Sequence, residues 1–242
     1  MLPLGHRILH YDTVSSTNDV AWEYKEHGLV ITAEEQTAGR GQRGNRWQAP
    51  HGTCLMLSLV VQHLEKPQNH IPLSIWAALG VCQCIEYYSA KLPQLKWPND
   101  ILLEGKKLSG VLVEQRKDWS VVGVGLNLSV SEEAFVQANL TQAGSLHQYV
   151  STKPRNEEIL STLLKYWNST WTLWKRGEFC QLLEQWKYYS QLPGKSVILV
   201  TLDRTIIGFV KELEILDITL ETNGGFEKIP WNKVQRIVTG IS

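Results

Sequence analysis

Past Gly194 the chain changes texture, and that change limits the folds open to it more than any other feature. Val197 to Thr201, Ile206 to Val210, Ile218 to Glu221, Glu227 to Ile229 and Val234 to Val238 are short runs rich in β-branched residues. Asp203-Arg204, Asp217 and Asn223-Gly224-Gly225 break them apart. Strands this short and this closely spaced bury their apolar faces against one another, as a small barrel or sandwich. Leu192-Pro193-Gly194 marks the boundary. We therefore expect residues 1–192 to form one larger domain and residues 193–242 a small second one.

Before that boundary, strand and helix signals alternate. Arg7 to Tyr11 reads as a strand that turns through Ser15-Ser16-Thr17-Asn18 into a helix over Asp19 to His27, with the hydroxyls and Asn18 placed to cap it. Val30 to Gln36 and Thr53 to Val61 read as strands on either side of a Gly/Arg-rich loop. Pro72 to Ala90 is apolar, nearly uncharged and too long for a strand, so it predicts a buried helix lying on the sheet. Leu95 to Trp97, Ile101 to Leu103, Leu108 to Glu114 and Ser120 to Val130 alternate apolar with small or polar residues and predict a meander of strands. A short helix is expected at Glu132 to Ala138, then one or two helices from Pro154 to Tyr189 with a break at Lys175-Arg176-Gly177. Trp167, Trp171, Trp174 and Trp186 recur there at helical spacing, which points to packing. The class is α+β: a mixed or antiparallel sheet with helices packed on it, followed by an SH3-like β-barrel.

Composition excludes several functions. Lys plus Arg and Asp plus Glu each number 24, so the chain lacks the overall positive field of a sequence-independent DNA binder, and any cationic site must be local. Cys54, Cys82, Cys84 and Cys180 form neither a CxxC pair nor a zinc series, which predicts reduced thiols and a cytoplasmic protein. The N-terminus lacks the three parts of a signal peptide. Cys54 to Val61, the longest apolar stretch, is interrupted by Ser58 and too short to cross a bilayer. The 7 histidines are scattered and read as surface or structural.

Gly39 to Trp47, GRGQRGNRW, packs three glycines and three arginines into one loop. Glycine lets the backbone approach an anion closely, and peptide N–H groups and guanidinium forks supply donors. Read alone, the segment fits an anion-binding catalytic loop, a nucleic-acid contact or a solvated turn.

Five further motifs narrow the choice. Ser16-Thr17-Asn18 and Gln36-Thr37-Ala38 precede the loop; Lys96 to Asp100 (KWPND), Lys106 to Glu114 (KKLSGVLVE) and Gly123 to Leu128 (GVGLNL) follow it. In this order and spacing, from about Tyr11 to Asn127, the chain resembles the biotin protein ligases. The resemblance implies the biotin/lipoate ligase catalytic fold, with ATP and Mg²⁺ as cofactors and biotin as substrate. The product would be biotinyl-5′-AMP, passed on to a lysine of a biotin carboxyl carrier protein domain of an acyl-CoA carboxylase, met through an exposed sheet edge. It is compatible with a homodimer. Nothing before Leu4 could form a helix-turn-helix, so the form without DNA binding is expected.

The resemblance also assigns residues. Arg40 would contact the reacting carboxyl and phosphate, with Gly39 and Gly41 letting the backbone wrap the ligand and the loop closing to exclude water. Gln42 departs from the arginine the family often has there, so only its backbone N–H is expected to serve. Of the adjacent lysines on one strand, Lys107 would face inward to the biotin carboxylate or α-phosphate and Lys106 outward. Ser16, Thr17, Asn18 and Gln36 would hold the ureido ring, while Gly110 leaves space for the rest of biotin and Trp47 acts as a lid. Arg40, Arg43, Trp47, Lys96, Asn99 and Asn127 would line the nucleotide site. Asp100 would attract the acceptor lysine, of which roughly one in a few thousand is neutral at pH 7. Lys96 and Asn99 would support ATP or the metal, and no residue is assigned as a metal ligand. Rival readings are a lipoate ligase or octanoyl transferase, which carry other glycine signatures, a non-catalytic sensor of biotinyl-AMP, and a nucleic-acid-binding module, which the neutral charge opposes.

Overall fold

The computed structural model describes residues 2–62 and 72–239. The first strand, β1 (Arg7–Val14), turns through α1 (Thr17–Ala21) into β2 (Leu29–Gln36), and β3 (Cys54–Gln62) follows the Gly/Arg loop. Then come α2 (Leu73–Ser89), β4 (Gln94–Lys96), β5 (Asp100–Leu103), β6 (Lys106–Arg116) and β7 (Trp119–Asn127). These strands form one seven-stranded sheet in the order β1-β2-β3-β7-β6-β5-β4, parallel between β1 and β2 and antiparallel elsewhere. The expected α+β layout and its elements are therefore present.

The exception is the first helix, expected over Asp19 to His27, which ends at Ala21. Glu26 is drawn away to the start of β1, where Arg7 Nη1 donates to it at 2.8 Å and His6 Nε2 lies 3.0 Å from it. Gly28, at φ +86°, then turns the chain into β2. No side chain caps α1. Thr17 and Asn18 Oδ1 are engaged instead with Gln36 and Ser58.

One face of the sheet is dry. α2 lies on it under α4 (Asn156–Arg176) and α5 (Cys180–Ser190), which is why α2 is apolar nearly all round. Trp76 stacks on Trp167 at 5.6 Å between ring centroids and meets Trp171 at 5.0 Å. Two of the three indole N–H groups are satisfied, Trp76 Nε1 donating to Thr170 Oγ1 at 3.0 Å and Trp167 Nε1 to the Ala77 carbonyl at 3.1 Å, whereas Trp171 Nε1 has no partner among the described residues. Gly177, at φ +70°, ends α4 where the sequence signals a break. Cys54, Cys82 and Cys84 are buried and all four thiols are free. Burial pushes Cys54 and Cys84 up to about 12, leaving them unreactive.

After α3 (Glu132–Gln137) and the two long helices, β8 (Ser196–Thr201), β9 (Thr205–Leu213), β10 (Asp217–Thr222), β11 (Gly225–Pro230) and β12 (Val234–Thr239) form a second, antiparallel sheet, ordered β11-β10-β9-β8-β12. Among the described residues no pairing joins β11 to β12. The sheet suits the SH3-like expectation in strand number and pairing. Trp97 fastens it to the rest: its ring lies 4.5 Å from Trp231 and 6.0 Å from Trp186, and its Nε1 donates to the Val234 carbonyl at 3.4 Å.

Candidate active site

The sheet's other face holds a pocket of about 230 Å³. Its floor follows from strand register. Met56, Gly125, Gly110 and Asp100 stand opposite one another across β3, β7, β6 and β5, with Ser58 opposite Gly123 one pair along. Glycine at 110, 123 and 125 makes this row a trough. A Cβ on Gly125 would come within 2.3 Å of the Trp47 ring, and one on Gly123 within 2.4 Å of Asn18 Oδ1. Trp47 thus lies over the trough, where the sequence places a lid.

At one end sits the STN corner. Gln36 Oε1 accepts from the Thr17 N–H at 2.7 Å and from Thr17 Oγ1 at 3.1 Å. Ser58 Oγ donates to Asn18 Oδ1 at 2.6 Å and lies 2.8 Å from Thr17 Oγ1. Ser16, Thr17, Asn18 and Ser58 are all buried. Two buried donors in this pocket, Asn18 Nδ2 and Trp47 Nε1, have no partner in the protein. Buried donors are rarely left so.

The Gly/Arg loop is a small hairpin. Trp47 N–H donates to Gly39 O at 3.0 Å and Gly41 N–H to Asn45 O at 2.7 Å, with a 3-10 turn at Gln42–Gly44 forming the tip. Gly39 is needed where the hairpin closes, since a Cβ there would meet the Trp47 carbonyl at 2.5 Å. Arg43 takes φ +57°, and its Nη2 donates to the Gln235 carbonyl of β12 at 2.6 Å. Gln235 and Arg236 therefore join the pocket wall. Arg40 lines the pocket too, but its guanidinium is paired bidentately with Asp19, at 2.7 and 2.8 Å. That pairing raises the Arg40 pKa further above its ordinary value and holds the Asp19 carboxyl below the usual carboxylate range.

At the far end Lys107 Nζ lies 2.5 Å from Asp100 Oδ1. Lys106 turns outward and donates to the Thr141 carbonyl at 2.8 Å. The expected inward and outward lysines are thus placed as the strand alternation requires. Asn99 is in the wall, but its amide is engaged in clamping the strands, Nδ2 donating to Val111 O at 2.6 Å.

Of the residues singled out in the sequence, Ser16, Thr17, Asn18, Gln36, Arg40, Gly41, Gln42, Arg43, Trp47, Asn99, Asp100, Lys107 and Gly110 line this one pocket. Gly39, Lys96 and Asn127 do not. Lys96 is exposed on the short edge strand β4. Asn127 is buried and ties β7 to the following loop, its Nδ2 donating to Gly144 O at 3.1 Å. Sequence reasoning missed Ser58, Gly123, Gly125 and the β12 pair. A lone serine inside an apolar strand and a GxG on one strand face were the available signals for the first three. None marked Gln235 and Arg236.

Residues 11–131 match the family described as Biotin/lipoate A/B protein ligase family. The "Biotin--[acetyl-CoA-carboxylase] ligase" of Mycobacterium tuberculosis is 32% identical over 77% of this chain and 70% of its own length. The "Bifunctional ligase/repressor BirA" of Bacillus subtilis is 29% identical over 93% of the chain and 73% of its own. In fold, the chain is similar to the biotin protein ligase from Aquifex aeolicus in complex with biotin and ATP, with a TM-score of 0.83, 24% identity and coverage of 97% of this chain and 100% of that one. The chain belongs to the biotin/lipoate A/B protein ligase family. Within it, the relatives it follows over most of their length set it among the biotin ligase enzymes.

Proposed function

We propose that this enzyme joins biotin to ATP, giving biotinyl-5′-AMP and pyrophosphate, and then transfers the biotinyl group to one lysine of a biotin carboxyl carrier protein domain of an acyl-CoA carboxylase. The observation that carries this reading is the unpartnered Asn18 Nδ2, buried in a polar corner above a glycine trough. A cyclic urea needs fixed donors and acceptors of this kind, and biotin's apolar ring and chain need the narrow trough beyond. Asn18, with Ser16, Thr17 and Gln36, would hold the ureido group; the unpartnered Trp47 Nε1 is a second donor to the ligand.

In the first step a biotin carboxylate oxygen attacks the α-phosphorus, and the bond to pyrophosphate breaks. Two anions about 4 Å apart repel by about 1 kcal/mol in water and about 4 kcal/mol at an effective dielectric near 20, so a water-poor site must supply cations. Lys107 faces the trough and serves the carboxylate or α-phosphate, with Arg40 and Arg43 on the opposite wall. In the second step the acceptor amine attacks the acyl carbon and AMP leaves. Asp100, beside Lys107, attracts the incoming ammonium and takes its proton.

Among the described residues no cluster of three or more His, Cys, Asp or Glu could cage a metal. A magnesium ion would come with the nucleotide phosphates, would offset their charge, and would need only one or two protein oxygens. Asp100 is the carboxylate in the pocket that could reach it. Residues 1–192 would form the catalytic domain and residues 193–242 a domain completing the nucleotide wall. We place the reaction in the cytoplasm, without DNA or membrane, and a homodimer is compatible with it. The test is transfer of biotin to a purified carrier domain with ATP and Mg²⁺, with lipoate in parallel and with Lys107→Ala and Asp100→Ala beside the native chain. Biotin-specific transfer that Lys107→Ala abolishes is expected. Equal use of lipoate, or tight biotin and ATP binding without any transfer, would overturn the reading.

A further inference from the structure

Arg40 is more heavily engaged than a residue waiting for an anion should be. Its Nη1 and Nη2 donate to Asp19 at 2.8 and 2.7 Å, and Nη2 also reaches Glu114 Oε1 at 3.3 Å. Glu114 is itself held, its Oε2 accepting from Trp22 Nε1 at 2.8 Å, while the Arg116 guanidinium lies 4.3 Å over the Trp22 ring. Three of the five N–H donors of Arg40 are thereby used. With the Arg116 guanidinium also close enough to act on Asp19, two carboxylates and two guanidiniums leave this group near neutral, so it offers little net attraction to a carboxylate meeting a triphosphate. Arg40 lines the pocket, whereas Asp19, Glu114 and Trp22 do not.

We propose that Asp19 and Glu114 are the resting counter-ions of Arg40. They hold it at the pocket rim in the empty enzyme and release it when the ligand anions bind, so that ligand binding is a competition with these two carboxylates for one guanidinium. The inference rests on the reading above that Arg40 serves the reacting anions. Trp22 and Arg116 keep Glu114 fixed, so Arg40 is the member that moves. The three charged groups are part-exposed, at 40%, 45% and 28% for Arg40, Asp19 and Glu114, so the grip is weak enough for a ligand to break.

The test uses the full chain with Asp19→Asn, Glu114→Gln and the double variant, which keep side-chain shape and remove charge. Affinity for biotin together with a non-hydrolysable ATP analogue is measured by calorimetry, and trypsin cleavage at the loop arginines is followed with and without both ligands. Binding about threefold to tenfold tighter in the double variant is expected. Its empty loop should be cut faster than the native one and be protected at lower ligand concentrations. Weaker binding would overturn the proposal by making the carboxylates a fixed support for Arg40 in its working position, and unchanged binding and cleavage would overturn it outright. An Arg40→Ala arm separates the two readings. If its ligand affinity matches the native chain, the role given to Arg40 fails; if Arg40→Ala weakens binding while the carboxylate variants behave as native, only the counter-ion proposal fails.

Discussion

Both faces of the seven-stranded layer use glycine to admit tryptophan, yet they do so for opposite ends. On the helix side, Gly80 lets Trp167 approach to where a Cβ would lie 2.4 Å from the ring, and the indole N–H is satisfied by Ala77. On the site side, Gly125 lets Trp47 come as close, and that indole N–H has no partner. The close approach is alike in the two places, but Trp167 is fully buried while Trp47 is half-buried over the pocket. A spare buried donor is not by itself the mark of a ligand site, since Trp171 Nε1 in the helix-side core also lacks a partner among the described residues; what sets Trp47 apart is that it lines the pocket together with Asn18, whose Nδ2 is unpartnered too.

The largest effect expected is on the site side alone. Lys107→Ala should lower kcat/KM for adenylation about a hundredfold or more, the scale seen when a transition-state donor is removed. Its urea midpoint should stay near native, because the Lys107–Asp100 pair is part-exposed, at 39% and 31%. A large loss of stability would mean that the pair is structural and would break the comparison. Next, Gly80→Ala and Gly125→Ala should each destabilise by about 1–3 kcal/mol through overpacking. Only Gly125→Ala should weaken biotin binding per folded molecule, measured by calorimetry; equal weakening by Gly80→Ala would remove the distinction between the faces.

A smaller effect belongs to the helix side. His27 stacks on Trp171 at 5.5 Å, and burial, reinforced by Lys175 and His6, pushes its pKa down to about 4. Its folded pKa lies below the unfolded value, so the unfolded chain takes up the proton first. Stability is then full above about pH 6.5 and falls as the pH drops towards 4, by about 1–2 kcal/mol after allowing for solvent screening. Urea midpoints at pH 7 and 4.5 should show this drop in the native chain and a shallower one in His27→Gln. Equal slopes would remove His27 as the cause. Smallest is Trp47→Phe, which deletes an unpartnered donor: stability should change by less than about 0.5 kcal/mol or rise, while ligand affinity falls. Trp167→Phe should do the reverse, losing stability through the hydrogen bond to Ala77 and the volume removed from a close-packed core.

Much of the fold was legible because its signals are local. The β-branched runs after Gly194, the break at Gly177 and the apolar texture of α2 each reflect propensities within a few residues, and each element appears where it was expected. The first helix was misjudged because its end depends on Glu26 being drawn to His6 and Arg7, a contact across the strand corner that no local pattern encodes. Most of the candidate site was legible through motif order. Asn127 was placed in the nucleotide wall because it sits in a motif, whereas its amide is engaged with the Gly144 carbonyl.

The sequence by itself determined which chemical groups are present and on which strands and turns they stand: the STN corner, the Gly/Arg hairpin, Asp100 and the inward Lys107. Tertiary structure alone decided what those groups face. Register across four strands put Gly125, Gly110 and Asp100 in one row, brought Ser58 beneath Asn18, set Glu114 against Arg40 from a strand distant in sequence, and carried Gln235 and Arg236 over from the second sheet. The physical reason is range. Backbone preference acts over a few residues, while register and the meeting of the two sheets are fixed by burying both apolar faces at once, which no single segment can specify.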